Sequence, residues 1–205
     1  MNQRQRQAVL LSLIQHLRDN GSWCGETHFQ KSAFFLQELL GVPLALNIIF
    51  YKFGPFSFDL SDEITAMRAD LLLTVKAREP YGPSLVPTEN VPNALRWFSA
   101  TLAHFLPAIR FVAERLAKRN VAELERLATA LYVTLQKPGA TAGELADEIT
   151  RLKPHVSADE AALALQAVYR MRSEMDGLST HEPTAAPSPD RGGPPHQADL
   201  GACPA

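Results

Sequence analysis

Cysteine is scarce in this chain of 205 residues. Cys24 and Cys203 are the two cysteines, and their separation does not suit the framework of a disulfide-stabilised domain. A chain of this length buries roughly 70% of its extended-chain surface, so it needs no disulfide or bound metal to make a core. A reducing compartment is the simplest expectation, and we expect the protein in the cytoplasm.

Long apolar runs are also missing. No stretch reaches the roughly 20 apolar residues that cross a membrane as a helix. Arg4 and Arg6 precede an apolar run, as in a signal peptide, but polar residues interrupt the run and no small-residue cleavage site follows. We therefore predict a first helix that belongs to the folded domain, and no membrane partner.

The chain has no excess of positive charge. Its formal net charge is −2, and three acidic residues against one arginine within residues 179–205 account for that value. The remaining part is near neutral, so it lacks the general attraction to phosphate that many DNA-binding domains show.

The sequence carries no recognisable catalytic or cofactor motif. Its six histidines lack the paired spacing of a zinc site, and Cys24 has no partner at the spacing of a zinc or redox pair. Phosphate-binding glycine loops and the nucleophile elbow of hydrolases are absent as well. We predict no metal, no cofactor and no catalytic residue, and an enzyme is the third hypothesis for function.

Helical periodicity and capping residues dominate what is present. Asn120 with Glu123 and Thr141 with Glu144 have the spacing of capping boxes, and Thr27 with Gln30 shares that spacing. Pro107 is expected to open a new helix. Segments with an apolar helical face lie near residues 9–20, 27–40, 57–71, 93–106, 121–135, 141–152 and 157–175.

Three short stretches have strand character. Residues 44–53 are apolar, β-branched and aromatic, and a turn at Gly54-Pro55 follows them. Residues 71–75 and 84–86 predict a hairpin around a Pro/Gly-rich loop. The order helix, helix, strand, helix and hairpin is that of a winged helix.

The predicted fold class is therefore mainly α with a small β-hairpin wing, an α+β arrangement. We expect a winged-helix-like part over residues 1–89 and a helical extension packed on it over residues 90–178. Residues 179–205 contain six prolines and three glycines, and we predict that this tail is disordered.

Aromatic residues crowd around Gly54-Pro55 and have two interpretations. Tyr51, Phe53, Phe56 and Phe58 form either a surface for a partner or part of the core, because aromatic side chains supply much of any small core.

DNA binding is the second hypothesis for function. It requires contacts from an N-terminal arm with Arg4 and Arg6, and from a wing with Lys76 and Arg78. The helix predicted after Gly54-Pro55 is acidic, so it would repel phosphate. Any binding to DNA is expected to be weak.

Two segments resemble a known family. The first runs over residues 25–31 and ends in Gln30-Lys31, and the second is the Tyr-Lys-Phe-Gly-Pro-Phe-Ser run of residues 51–57. Together they resemble the bacterial YwgA-like proteins and the related SocA (Panacea) antitoxin domain, and segments 121–129 and 151–157 look like the YwgA-like helical extension. The residues that carry the resemblance are Gln30, Lys31, Tyr51, Lys52, Gly54, Pro55 and Ser57.

The resemblance implies a phage-associated protein. It also implies a role in binding, because SocA-type members act as antitoxins or adaptors that bind a toxin. The leading hypothesis is therefore a non-enzymatic protein-interaction module with an antitoxin, adaptor or phage-defence role. Its protein partner would be a toxin or another defence component.

Overall fold

The computed structural model of the chain describes residues 1–79 and 81–179. These residues form a mainly helical α+β fold with two small antiparallel hairpins, which confirms the predicted fold class. The sequence predicts a disordered tail over residues 179–205. Residues from 180 onward lie outside the part of the chain that the structure describes. Within that part no helix is long and apolar enough to span a membrane.

The order of the elements gives each its number. The helices are α1 (Gln3–Asp19), α2 (Glu26–Glu38), α3 (Phe58–Ala69), α4 (Val91–Arg96), α5 (Ser99–Leu116), α6 (Val121–Gln136), α7 (Ala142–Leu152) and α8 (Ala158–Ser179). The strands are β1 (Ile49–Tyr51), β2 (Gly54–Phe56), β3 (Leu73–Arg78) and β4 (Tyr81–Pro87). The β3–β4 hairpin follows α3, which is the order of elements in a winged helix. The winged-helix arrangement of these elements in space stays a prediction.

Local capping signals mark several helix starts correctly. Asn120 and Thr141 each accept a bond from the amide three residues on, and the capping boxes of α6 and α7 are complete. The predicted cap at Thr27 is wrong, because α2 begins at Glu26 with Gly25 as its N-cap. Thr27 therefore lies inside the first helical turn.

The predicted strand over residues 44–53 is wrong in extent. Ala45 has φ of +53°, which interrupts an extended backbone, and only Ile49–Tyr51 pairs. Its partner is Gly54–Phe56, so the chain reverses at Lys52 and Phe53, and Gly54-Pro55 begins the returning strand.

Pro107 does not open a helix, contrary to the prediction. It lies inside α5, and the break in the chain falls earlier, at Trp97 and Phe98 between α4 and α5. The first turns of α5 carry Thr101 buried and the last turns carry Ile109 and Val112 buried, so packing along its length sustains the helix across the proline.

One hydrophobic cluster spans the molecule. In it α1 packs against α5, α2 against α6, and α8 covers α6 and α7. Buried residues of both predicted parts belong to this cluster, from Val9 in α1 to Met171 in α8. As a result α6 lies directly behind α2 and β2, where the two segments of the family resemblance meet.

Candidate functional site

Gln30 holds the backbone of Ser57 from two sides. Its Nε2 donates to the carbonyl oxygen of Ser57 at 2.9 Å, and the amide of Ser57 donates to its Oε1 at 3.0 Å. Both residues are buried. The pair of bonds reproduces what a neighbouring β-strand residue would offer. Since Ser57 is the N-cap of α3, Gln30 fixes the start of that helix on α2.

Gln37 repeats this arrangement about two helical turns further along α2. The amide of Leu46 donates to Gln37 Oε1 at 2.8 Å, and Gln37 Nε2 donates to the carbonyl oxygen of Leu46 at 3.0 Å. The two glutamines therefore attach the segment before β1 and the segment after β2 to one helix. The backbone of Leu46 is occupied by a side chain and is not free to pair in a strand.

Lys31 lies beneath the β1–β2 hairpin. Its side chain is 1% exposed, and Nζ donates to the carbonyl oxygen of Pro55 at 2.7 Å. Fully buried lysines are rare, because an ammonium loses its hydration unless polar or charged groups replace it. The position of Lys31 therefore calls for compensating groups from other elements.

These groups come from the helical extension. Lys153, at the end of α7, places Nζ 3.6 Å from Glu125 Oε2 of α6 and 3.5 Å from the carbonyl oxygen of Lys52. Both side chains are largely buried. We call Lys31, Glu125 and Lys153 the buried lysine cluster. The carboxylate of Glu125 pairs directly with Lys153 and also attracts the ammonium of Lys31, and each ammonium donates to a carbonyl oxygen of the hairpin.

Burial lowers the pKa of Lys31 from its ordinary value of 10.5 to about 8. The carboxylate of Glu125 opposes this shift, and the nearby charge of Lys153 adds to it. Between these two pH values the unfolded chain binds the proton and the folded chain does not. Stability therefore rises with pH across this window as far as Lys31 is concerned.

The window gives a first prediction. From pH 8 toward pH 10 we expect Lys31 to raise the free energy of unfolding by up to roughly 1 kcal/mol per pH unit. The measurement is urea unfolding at a series of pH values for the native chain and for Lys31→Met, which has no titrating amine. The difference between the two curves isolates Lys31 from groups such as Cys24, whose pKa is raised by burial to about 12. Parallel curves would contradict the assignment.

Gly54 carries a second prediction. Its φ is +94°, and a Cβ there would lie 3.2 Å from Thr129 Oγ1. Because both the backbone and the contact disfavour a side chain, we expect Gly54→Ala to lower the free energy of unfolding by about 2 kcal/mol. Gly139 is the matched control, since its φ is +85° and no atom lies within 4 Å of a Cβ built there.

The control separates the two causes. Gly139→Ala should lower the free energy of unfolding by about 1 kcal/mol, because it has the backbone strain without the contact. Equal losses in the two variants, measured by urea unfolding, would show that the contact with Thr129 contributes nothing.

The aromatic patch, which we define as Tyr51, Phe53, Phe56 and Phe58, lies on this hairpin and on the first residue of α3. Tyr51, Phe53 and Phe58 are 52%, 53% and 54% exposed. The ring centroids of Tyr51 and Phe58 lie 5.6 Å apart, and Phe56 contacts both rings. Exposure on this scale favours the surface interpretation of these residues over core packing.

The residues proposed to contact DNA have different environments. Arg6 is not on a free arm, because it lies in α1 and forms an ion pair with the buried carboxylate of Glu63. Arg4 is exposed in the same helix, and Lys76 is exposed on β3. Arg78 ends β3, and its side chain lies outside the described part. The prediction of an N-terminal arm is therefore wrong.

Sequence reasoning missed three residues of the site. The sequence assigned no role to the side chains of Glu125, Lys153 and Gln37, since charged and amide side chains on amphipathic helices usually face water. The only signal for the first two was their position in segments 121–129 and 151–157, which carry part of the family resemblance. No spacing rule in the sequence connects them with Lys31.

Among residues 1–79 and 81–179, no group of three or more histidine, cysteine, aspartate or glutamate side chains is placed to hold a metal ion. His28 is buried with its ring nitrogens bonded to Ser22 and to the carbonyl oxygen of Leu116. The resemblance to the YwgA-like and SocA proteins stays a prediction, because no family model matches this chain and no curated protein matches it in sequence.

Proposed function

We propose that this chain is a non-enzymatic protein-interaction module that binds a protein partner through the aromatic patch. The observation that carries the proposal is the half-exposure of three large aromatic rings, two on the β1–β2 hairpin and one on the first residue of α3. Aromatic side chains dominate the binding energy of protein interfaces, because they bury a large area with little loss of side-chain entropy.

The support beneath the patch is the second reason for the proposal. Gln30 and Lys31 bind the backbone of Ser57 and Pro55, on either side of Phe56. A hairpin held in this way keeps its rings in one arrangement before a partner arrives. Binding then loses less entropy than it would with a mobile loop.

The role that we propose for the interaction is that of an antitoxin, an adaptor or a phage-defence component. Its partner is accordingly a toxin or another defence protein. Weak DNA binding is the alternative, and the structure offers it fewer groups than the sequence suggested. Arg6 would have to give up its ion pair with Glu63, whose carboxylate would then be buried without its cation.

The proposal predicts the effect of truncating the patch. A photoreactive amino acid in place of Phe53 would capture the partner in the native cell, and the captured protein would then be purified. We expect Phe58→Ala to weaken the Kd of that complex about tenfold or more, because a central aromatic contact is lost. Isothermal titration calorimetry measures the change.

Leu163→Ala is the control, since Leu163 is an exposed apolar residue of α8, 64% exposed. It should leave the Kd within about twofold, a difference below 0.5 kcal/mol. Urea unfolding of both variants shows whether either change affects the fold. Equal affinities for Phe58→Ala and the native chain would refute the proposal, and so would recovery of bound oligonucleotide in place of a protein.

A further inference from the structure

The charges around the aromatic patch define the partner more closely, given the proposed function. We infer that the patch receives a basic segment of the partner, in which an arginine or lysine side chain lies over the free aromatic faces and close to carboxylates of α2 and α3. Apolar residues of the same segment would cover the remaining ring surface.

Carboxylates border the patch on the side of α3. Asp62 is exposed and lies four residues after Phe58, so both side chains belong to one face of the helix. Asp59 is exposed next to Phe58, and its Oδ2 accepts a bond from the amide of Asn47. Glu26 is exposed on α2, and its Oε1 accepts a bond from the hydroxyl of Ser61. We call Glu26, Asp59 and Asp62 the acidic rim.

The acidic rim keeps unoccupied carboxylate oxygens despite these bonds. Each bond uses one oxygen of a carboxylate, so Asp59 and Glu26 each retain a second oxygen for a cation. The basic residue of α3, Arg68, lies about 9 Å further along the helix axis than Asp62. The buried glutamate of α3, Glu63, is already neutralised by Arg6 and does not contribute to the rim.

The aromatic faces themselves suit a cation. Lys52 already places its Nζ 5.6 Å from the centroid of Phe53, which shows that this hairpin presents a ring to an ammonium. Within the described part of the chain, no cation lies over Tyr51 or Phe58. A guanidinium from a partner would meet those two rings and the acidic rim together, and the two attractions would act on the same group.

The same charges disfavour a second copy of the chain as the occupant. A symmetric contact through this patch would bring two acidic rims together, and like charges at an interface are repulsive. A basic partner instead gains from attraction during its approach, which raises the association rate.

A defined peptide tests the inference without knowledge of the natural partner. The probe is a fluorescein-labelled peptide in which arginine alternates with leucine, and the matched probes carry glutamine or glutamate in place of arginine. Fluorescence anisotropy with the full chain gives the affinities. We expect the arginine peptide to bind at least about tenfold more tightly than the glutamine peptide, and the glutamate peptide to bind most weakly.

Charge reversal on α3 provides the second measurement. Asp62→Lys should weaken binding of the arginine peptide about tenfold, and Asp70→Lys, at the far end of the same helix, should change it less than about twofold. Raising the salt concentration from about 50 mM to about 500 mM should reduce the difference between the arginine and glutamine peptides, because salt screens exposed charges.

The outcomes for the inference and for the proposed function are distinct. Equal binding of the arginine and glutamine peptides, or no binding of either, would overturn the basic partner and leave the proposed function to its own test. Stronger binding of the arginine peptide to Asp62→Lys would likewise overturn the basic partner and leave the proposed function to its own test. Arginine-peptide binding that Phe58→Ala leaves unchanged would place the peptide elsewhere and overturn the inference. An unaltered complex of Phe58→Ala with the captured partner would refute the proposed function itself.

Discussion

Replacing Glu125 with glutamine is expected to lower the free energy of unfolding by about 3–5 kcal/mol, the range for a buried ion pair that loses one partner. The substitution keeps the shape of the side chain and removes its charge. Lys153 then loses the carboxylate 3.6 Å away, and Lys31 loses the charge that opposes the lowering of its pKa. Lys31 and Lys153 would then remain buried, with carbonyl oxygens but no carboxylate as partners.

The double variant Glu125→Gln/Lys31→Met distinguishes this electrostatic cause from a loss of packing. It leaves one ammonium in place of two, so we expect it to recover part of the stability that Glu125→Gln loses. Glu114→Gln is the control for an exposed carboxylate on α5 and should change stability by less than about 0.5 kcal/mol. If urea unfolding gives the same free energy for Glu125→Gln and Glu114→Gln, the carboxylate does not stabilise the cluster.

Gln30→Leu should lower the free energy of unfolding by about 2–4 kcal/mol. The substitution removes both bonds to Ser57 and leaves its buried amide without an acceptor, and each buried polar group left unpaired loses about 1–3 kcal/mol. The carbonyl oxygen of Ser57 retains a 3.4 Å bond from the amide of Ser61. It therefore contributes less to the lost stability than the amide of Ser57 does. Thermal and urea unfolding would both record the effect.

Gln37→Leu is a matched control with the same bonding geometry. Its two bonds to Leu46 lie in a half-buried place, where water can replace the lost partners. We therefore expect a loss of about 1 kcal/mol or less. A larger loss for Gln37→Leu than for Gln30→Leu would mean that burial does not decide the importance of these two bonding pairs.

The parts of the fold that were predicted correctly depend on neighbours in sequence. The capping boxes of α6 and α7 join residues three apart, and the hairpin of β3 and β4 follows from two apolar strands around a Pro/Gly-rich loop. These local interactions form in the folded chain because the interacting groups are close together in sequence. The starts of α6 and α7 were therefore placed accurately, whereas the same spacing at Thr27 and Gln30 was misleading because α2 begins one residue earlier.

The wrong predictions were those that packing decides. Pro107 was expected to open a helix, but contacts along both halves of α5 sustain one helix through it. Residues 44–53 have the composition of a strand, yet the amide and carbonyl of Leu46 bind Gln37 in place of a partner strand. In both cases the competing interaction comes from residues that the local pattern does not include.

The candidate site was predicted only in its outer half. The concentration of aromatic residues around Gly54-Pro55 was visible in the sequence, and in the structure three of these four residues are about half exposed. The buried lysine cluster was not visible, because Lys31, Glu125 and Lys153 come from three helices and each one resembles an ordinary surface charge. Likewise, Arg6 was assigned to a free arm because its partner Glu63 belongs to a distant helix.

The buried lysine cluster has a consequence for the order in which parts of the protein become stable. Chains fold while they are synthesised from the N-terminus, so Lys31 and the hairpin leave the ribosome well before Glu125 and Lys153. Until Glu125 arrives, its carboxylate is not available to the ammonium beneath the hairpin, and the buried lysine cluster cannot form. The stabilisation that Glu125 gives to the ammonium groups therefore belongs to the late part of synthesis, after α6 has been made.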